Sequence, residues 1–72
     1  MSDANLIKMA NQIALYFATE PDAQAAVLGV RNHIQMFWTP GMRKELLALQ
    51  AANHGADLHP LAQEAVSGAG WG

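Results

Sequence analysis

The sequence contains no cysteine, and this absence excludes several kinds of chemistry. Disulfides, redox dithiols, thiolate nucleophiles, iron–sulfur clusters and zinc–thiolate sites all require cysteine side chains. Long apolar runs are also missing, since the longest run of apolar residues and glycine covers only residues 25–30. A membrane-spanning helix needs about 20 apolar residues in succession. Because the first residues also lack the pattern of a signal peptide, we expect a cytoplasmic protein.

Charged residues are scarce. Only 14% of the chain is Asp, Glu, Lys or Arg, whereas about 25% is usual. A domain of 72 residues has a high ratio of surface to volume, so it should carry more charge rather than less. The deficit indicates that another molecule covers part of the surface. The formal net charge of −2 argues against nucleic acid and against an anionic membrane as partners.

Large apolar residues are fewer than the overall hydrophobic content of 51% suggests, because 14 of the hydrophobic residues are alanine. Leu, Ile, Val and Phe together make 16 of 72 residues, or 22%. Disorder is suspected below about 20%. The sequence therefore predicts a thin core, and domains this small often rely on a partner for stability.

Apolar periodicity predicts an all-α fold, because no segment alternates with the period of two that a strand requires. The first helix is predicted at about 4–18, with Ser2 or Asp3 as its N-cap. The second is predicted at about 21–38, with its proline as the first helical residue. Gly29 lies inside this helix, where we expect a neighbouring helix to cross closely.

Proline and glycine also mark the later elements. Thr39 is predicted to cap a third helix that starts at Pro40 and ends near residue 53, with Gly55 in the left-handed conformation just beyond it. Pro60 opens a short fourth helix at about 61–66. Residues 67–72 have the composition of a flexible tail. We therefore expect a single helical domain over residues 1–72, ordered at about 4–66: a small bundle of three to four helices with short turns and a flexible C-terminal tail.

Each of the first three helices has one apolar face that we expect to form the core. The predicted core residues are Leu6, Met9, Ala10, Ile13, Ala14 and Phe17 in the first helix, Ala23, Ala26, Val27, Val30, Ile34, Phe37 and Trp38 in the second, and Met42, Leu46 and Leu49 in the third. Four further apolar residues project away from these faces, namely Leu15, Leu28, Met36 and Leu47. Apolar positions behind three helices, together with the charge deficit, favour a second buried surface over one wide core face.

Residues 37–40, Phe-Trp-Thr-Pro, form the densest aromatic cluster. They can lock two helices together or contribute to an interface, where Trp and Arg are enriched. Arg31 and Arg43 are candidates to bind a carboxylate across such an interface, with a surface salt bridge as the alternative.

The three histidines do not predict a catalytic or metal site. His54 and His59 are five residues apart and would need Asp57 to complete a zinc site, and structural zinc sites usually use cysteine. We expect His54 to end the third helix and His59 to act as a cap before Pro60. His33 is expected to be a half-buried packing or hydrogen-bonding residue.

Several segments, read in order, resemble the delta subunit of soluble, NAD-dependent, molybdenum-containing formate dehydrogenases. They are residues 7–13 (IKMANQI), Phe17, Pro21, residues 33–34 (HI), residues 37–43 (FWTPGMR) and residues 58–61 (LHPL). Together they span most of the chain. The sequence departs from the family pattern at Thr39, Gly41 and His59, where Asp, Arg, and Ser or Asp are usual. Threonine keeps the capping role, whereas Gly41 lacks a charge that would contact a partner.

The resemblance implies a non-catalytic accessory subunit that docks on the large catalytic subunit and supports its assembly, cofactor retention or stability. In the family, the alpha subunit holds the molybdenum–pterin cofactor and iron–sulfur clusters, the beta subunit binds FMN and NAD, and the gamma subunit carries a further cluster. We expect no catalytic, cofactor-binding or metal residue in this chain. The interface candidates are Asn11, Gln12, Leu15, Leu28, Arg31, His33, Phe37, Trp38, Pro40, Met42, Arg43 and Leu47.

Two other functions fit the sequence less well. One is a free-standing helical interaction module or assembly chaperone that is not a permanent subunit. The other is a helix-turn-helix DNA-binding protein with its turn at residues 39–41. Net acidity and only two basic residues in the third helix argue against DNA binding.

Overall fold

The computed structural model describes residues 2–52 and 54–71. Within them lie four α-helices: α1 (Asp3–Phe17), α2 (Ala23–Phe37), α3 (Pro40–Ala51) and α4 (Pro60–Ser67). A short 3-10 helix, His54–Asp57, lies between α3 and α4. The described residues contain no strand, which confirms the predicted all-α fold. None of the helices found in them is long and apolar enough to cross a membrane.

Three of the predicted helix starts are confirmed. The Ser2 hydroxyl accepts a hydrogen bond from the Asn5 amide at the start of α1. The Thr39 hydroxyl accepts one from the Met42 amide, with Pro40 as the first residue of α3. At α4, Nδ1 of His59 accepts from the Leu61 amide. Each cap supplies an acceptor to an amide that has no partner within its helix.

Two predicted boundaries are wrong. The second helix begins at Ala23 rather than at Pro21, because the Asp22 carboxylate accepts a hydrogen bond from the Gln24 amide and so caps the helix one residue later. Gly55 is not left-handed. It belongs to the 3-10 helix. Among the described glycines, it is Gly70 that has a positive φ, of 70°. The predicted end of α3 at residue 53 lies outside the described residues, and α3 ends at residue 51.

The core lies where α2 packs against α1 and α4, while α3 closes it from the side of α1 and α4. Its largest fully buried side chains are Leu6, Val30, Ile34, Leu46 and Val66. Buried alanines in α1, α2 and α4 allow the helices to approach one another, namely Ala10, Ala14, Ala26, Ala62 and Ala65. Ala23, predicted to be a core residue, is instead exposed at the first position of α2.

The helices α1 and α2 approach each other closely at Gly29. A Cβ atom built on this glycine would lie 2.5 Å from Cδ1 of Phe17. The ring of Phe17 therefore lies directly on the backbone of α2, which confirms the expected crossing. Glycine has a low helix propensity, but here its missing side chain leaves room for the Phe17 ring, and this packing offsets the cost.

The C-terminal segment differs from the tail that its composition predicts. The indole of Trp71 is only 9% exposed and belongs to the hydrophobic core. Its Nε1 donates a hydrogen bond to the side-chain oxygen of Gln35 in α2. Gly70, in the left-handed conformation, turns the chain just before this tryptophan.

Candidate docking surface

Four aromatic rings follow one another across the surface of α1 and α2, and we call them the aromatic row: Tyr16, Phe17, His33 and Phe37. The ring centroids of Tyr16 and Phe17 are 5.0 Å apart with nearly perpendicular planes. Those of Phe17 and His33 are 6.4 Å apart, and those of His33 and Phe37 are 4.8 Å apart. These separations are typical of interacting rings. The row therefore forms one continuous surface on two helices.

The two outer rings of the row are largely in solvent. Tyr16 is 74% exposed and Phe37 is 69% exposed, whereas Phe17 and His33 are half-buried. The half-buried position of His33 confirms its prediction as a packing residue. An aromatic side chain that stays in water forgoes the favourable free energy of burial, so the two outward-facing rings make this face a candidate docking surface.

The prediction of Phe37 as a core residue is wrong, and the end of α2 explains why. The helix stops at Phe37, and Trp38 takes an extended conformation with φ of −93° and ψ of 148°. The change of direction carries the Trp38 side chain into the core, where it is 6% exposed. Phe37 keeps its helical direction and remains outside.

A shallow groove lies beside the aromatic row and is lined by Gln12, Ile13, Tyr16, Phe17 and His33. None of these residues carries a carboxylate or a permanently charged amine. A second groove along α1 shares Gln12, and its lining also includes Ile7, Asn11, Leu15, Asp3, Lys8 and Asp57. The groove beside Tyr16, Phe17 and His33 thus lacks a permanent charge, whereas the neighbouring part of α1 is mixed in charge.

Leu28 lies on a different surface. It lines a groove between α2 and α4 together with Gln24, Val27, Arg31 and Glu64. It is half exposed. The structure therefore does not bring Leu28 together with His33 and Phe37, although all three were predicted to contribute to docking.

Arg31 and Arg43 bind carbonyl oxygens at helix ends. Nε of Arg31 donates to the carbonyl of Ala65 at 2.9 Å, and Nη2 donates to that of Glu64 at 3.2 Å, at the end of α4. Nη1 of Arg43 donates to the carbonyl of Trp38 at 2.9 Å just after α2. A cation near the C-terminal end of a helix also interacts favourably with the helix dipole. Both arginines thus stabilise the fold, a role that the sequence reasoning did not assign to them.

Other predicted interface residues also have contacts within the chain. The Asn11 side chain donates to the carbonyl of Asp57 at 2.9 Å and accepts from the amide of His59 at 2.7 Å. Met42 and Leu47 are partly buried and pack against the core. Leu47 was expected on a second surface; it contributes to the core instead.

The remaining predicted residues, Gln12, Leu15 and Pro40, are exposed. The sequence reasoning missed Tyr16, and it placed Met36 off the core face without selecting it as an interface residue. Both are about three-quarters exposed. The exposure of Tyr16 could have been predicted from its position directly before Phe17, because neighbouring residues in a helix point in different directions and Phe17 lies on the core face of α1.

Among the described residues, no group of three His, Asp or Glu side chains is placed to hold a metal ion. The predicted role of the His54 side chain, as the end of α3 or as a zinc ligand, lies outside the part of the chain that the structure describes. His59 caps α4 through Nδ1. The buried core contains no polar or charged residue among those described.

The fold and surface can be compared with known protein families. A family model described as the NADH-dependent formate dehydrogenase delta subunit FdsD matches residues 5–66. The searches of curated proteins and of solved structures found no match to the chain. The family match covers α2 and α3 and nearly all of α1 and α4, and therefore most of the chain. The chain accordingly belongs to the family of formate dehydrogenase delta subunits.

Proposed function

We propose that this chain is a non-catalytic accessory subunit that docks on the large catalytic subunit of an NAD-dependent, molybdenum-containing formate dehydrogenase. One observation supports docking above all others. Five large apolar side chains remain at least half exposed on a 72-residue domain with few charges, namely Leu15, Tyr16, Leu28, Met36 and Phe37. Removal of such surface from water favours association, with a transfer free energy of about 25 cal/mol for each Å² that offsets the cost of lost translational and rotational freedom.

Docking of this kind supports the enzyme by mass action. A chain that binds the folded, cofactor-loaded catalytic subunit and not its unfolded form shifts the equilibrium toward the assembled state. Assembly, cofactor retention and stability are then three consequences of one binding equilibrium. The benefit is mutual, because docking also covers apolar side chains that the small domain cannot bury by itself.

We assign the redox groups to the partner subunits in the cytoplasm. The molybdenum–pterin cofactor and iron–sulfur clusters belong to the alpha subunit, FMN and NAD to the beta subunit, and a further cluster to the gamma subunit. The sequence of this chain supplies no cysteine to bind an iron–sulfur cluster.

Co-expression tests the proposal. The alpha, beta and gamma subunits are produced with and without this chain, and the yield of complex, its molybdenum content and its formate oxidation are measured. We expect all three to fall without the chain. Equal yield, molybdenum content and activity in both preparations would contradict the supporting role.

Size-exclusion chromatography separates a permanent subunit from an assembly chaperone. We expect this chain to elute with the other subunits in a fixed ratio. Its loss at this step, with activity retained, would instead show a chaperone that leaves after assembly.

A further inference from the structure

We infer that the aromatic row is the face of this chain that contacts another formate dehydrogenase subunit, and that the contacted surface is apolar and uncharged. The inference rests on the proposed function. It adds which of the exposed apolar surfaces docks and what chemistry the partner presents there.

Continuity distinguishes the aromatic row from the other exposed apolar residues. Its rings form an unbroken chain of contacts, with centroid separations from 4.8 to 6.4 Å, across two helices. Leu28, in contrast, lines a groove with Arg31 and Glu64, and Arg31 is occupied in capping α4. Clustered aromatic residues supply most of the binding energy in protein interfaces, whereas an isolated exposed leucine is common on monomers.

The groove beside Tyr16, Phe17 and His33 indicates the chemistry of the partner. The groove residues Gln12, Ile13, Tyr16, Phe17 and His33 include no carboxylate, lysine or arginine. A charged partner side chain buried against them would lose its hydration without gaining an opposite charge. An apolar side chain incurs no such penalty. Asp3, Lys8 and Asp57 lie along the neighbouring groove, which fits the polar rim that surrounds interface centres.

The area of the face favours a different subunit over a second copy of this chain. An aromatic side chain has a surface of about 150–250 Å². Tyr16 and Phe37, at 74% and 69% exposure, therefore present roughly 200–350 Å² between them. The half-buried rings of Phe17 and His33 bring the face to about 300–500 Å², within the range of the largest apolar patch on a typical monomer.

A stable interface of standard size buries about 800 Å² on each partner. Two copies that met row against row would bury only about half of this area. A larger subunit can extend beyond the rings over the neighbouring groove of α1 and bury its polar rim as well. We therefore commit to a partner subunit as the occupant of this face.

The test compares two variants of the full chain, each purified on its own. The first carries Tyr16→Ala and Phe37→Ala, and the matched control carries Leu28→Ala. Circular dichroism of each purified chain checks that its helices are retained. Binding is then measured by titrating the chain onto complex prepared without it. We expect the double variant to bind at least about tenfold more weakly, while the control binds as the wild type does.

The salt dependence of wild-type binding tests the chemistry of the partner. An apolar contact predicts an affinity that changes less than about threefold between low and physiological salt, since screening acts on charges. A steep loss of affinity with salt would overturn the assignment of an uncharged partner surface. It would instead indicate a cationic side chain placed over the rings.

The remaining outcomes separate the inference from the proposed function. If the wild type binds the complex and the double variant binds equally well, the aromatic row is the wrong face although the function stands. If the wild type does not bind, both are overturned. A dimer of the isolated chain at micromolar concentration that the double variant abolishes would show that the occupant is a second copy, which also overturns the inference.

Discussion

The contact of α2 with α4 and the contact of α2 with α1 are built from different chemistry. On the α4 side, Arg31 binds two carbonyls and the Trp71 indole is buried, so hydrogen bonds and apolar packing within the chain hold this contact. On the α1 side, Phe17 packs on Gly29, but Tyr16 and Phe37 continue the same row of rings into solvent. The α1 side thus leaves two large rings exposed, and it is the side that the proposed partner subunit would cover.

We expect the largest difference in the free energy of unfolding between a variant of the core and a variant of the exposed surface. Ile34 is fully buried, whereas Leu15 is 61% exposed. We expect Ile34→Ala to lower the free energy of unfolding by about 2–5 kcal/mol and Leu15→Ala to change it by less than about 0.5 kcal/mol. Urea unfolding followed by circular dichroism measures both. Similar losses for the two variants would mean that Leu15 has contacts that its exposure does not indicate.

Gly29 tests the close contact on the α1 side. An added Cβ would lie 2.5 Å from the Phe17 ring, so Gly29→Ala should displace the ring. We expect a net loss of about 1–2 kcal/mol, because overpacking outweighs the better helix propensity of alanine.

Gly41 provides the matched control for this change. It lies in the first turn of α3, and the nearest atom to an added Cβ is the Thr39 hydroxyl oxygen at 4.0 Å. Gly41→Ala should therefore be neutral or stabilising. If both glycine variants behaved alike in urea unfolding, the Phe17 contact would have no energetic consequence.

Arg31 tests the contact between α2 and α4. Arg31→Met keeps much of the aliphatic stem but removes both hydrogen bonds to the end of α4, so we expect a loss of about 1–2 kcal/mol. Lys44→Met is the control, since Lys44 is exposed in α3. Thermal unfolding of the two variants should show a lower midpoint for Arg31→Met alone. Equal midpoints would indicate that solvent replaces the arginine at no cost.

The smallest effect concerns the hydrogen bond between Trp71 and Gln35. Trp71→Phe keeps an aromatic ring and removes the Nε1 donor, and Gln35→Ala removes the acceptor. In a double-mutant cycle we expect a coupling energy of about 0.5–1 kcal/mol. A coupling energy of zero would mean that the indole is held by apolar packing alone.

Short-range signals made much of the fold predictable. The caps at Ser2, Thr39 and His59 each act on an amide within three residues of the chain, so local sequence is sufficient to find them. Apolar periodicity identified most of the core for the same reason. The start of α2 was missed because two local signals compete there, and the carboxylate of Asp22 takes precedence over Pro21.

The features that could not be predicted depend on distant contacts or on small rotations at helix ends. Arg31 binds carbonyls more than 30 residues away, and Trp71, near the C-terminus, donates a hydrogen bond to Gln35 in α2. Phe37 and Trp38 were both predicted in the core, but only Trp38 lies there, because the helix ends at Phe37. The aromatic row itself joins residues from two helices, so no single segment of sequence displays it.

The placement of the aromatic residues gives this chain two separate optical reporters. Both tryptophans are buried, and the single tyrosine lies on the aromatic row. Indole emission should therefore follow unfolding, whereas the absorbance of the phenol should respond when water is removed from the Tyr16 ring. In the isolated chain, the two signals therefore separate unfolding of the core from a change at the exposed aromatic row.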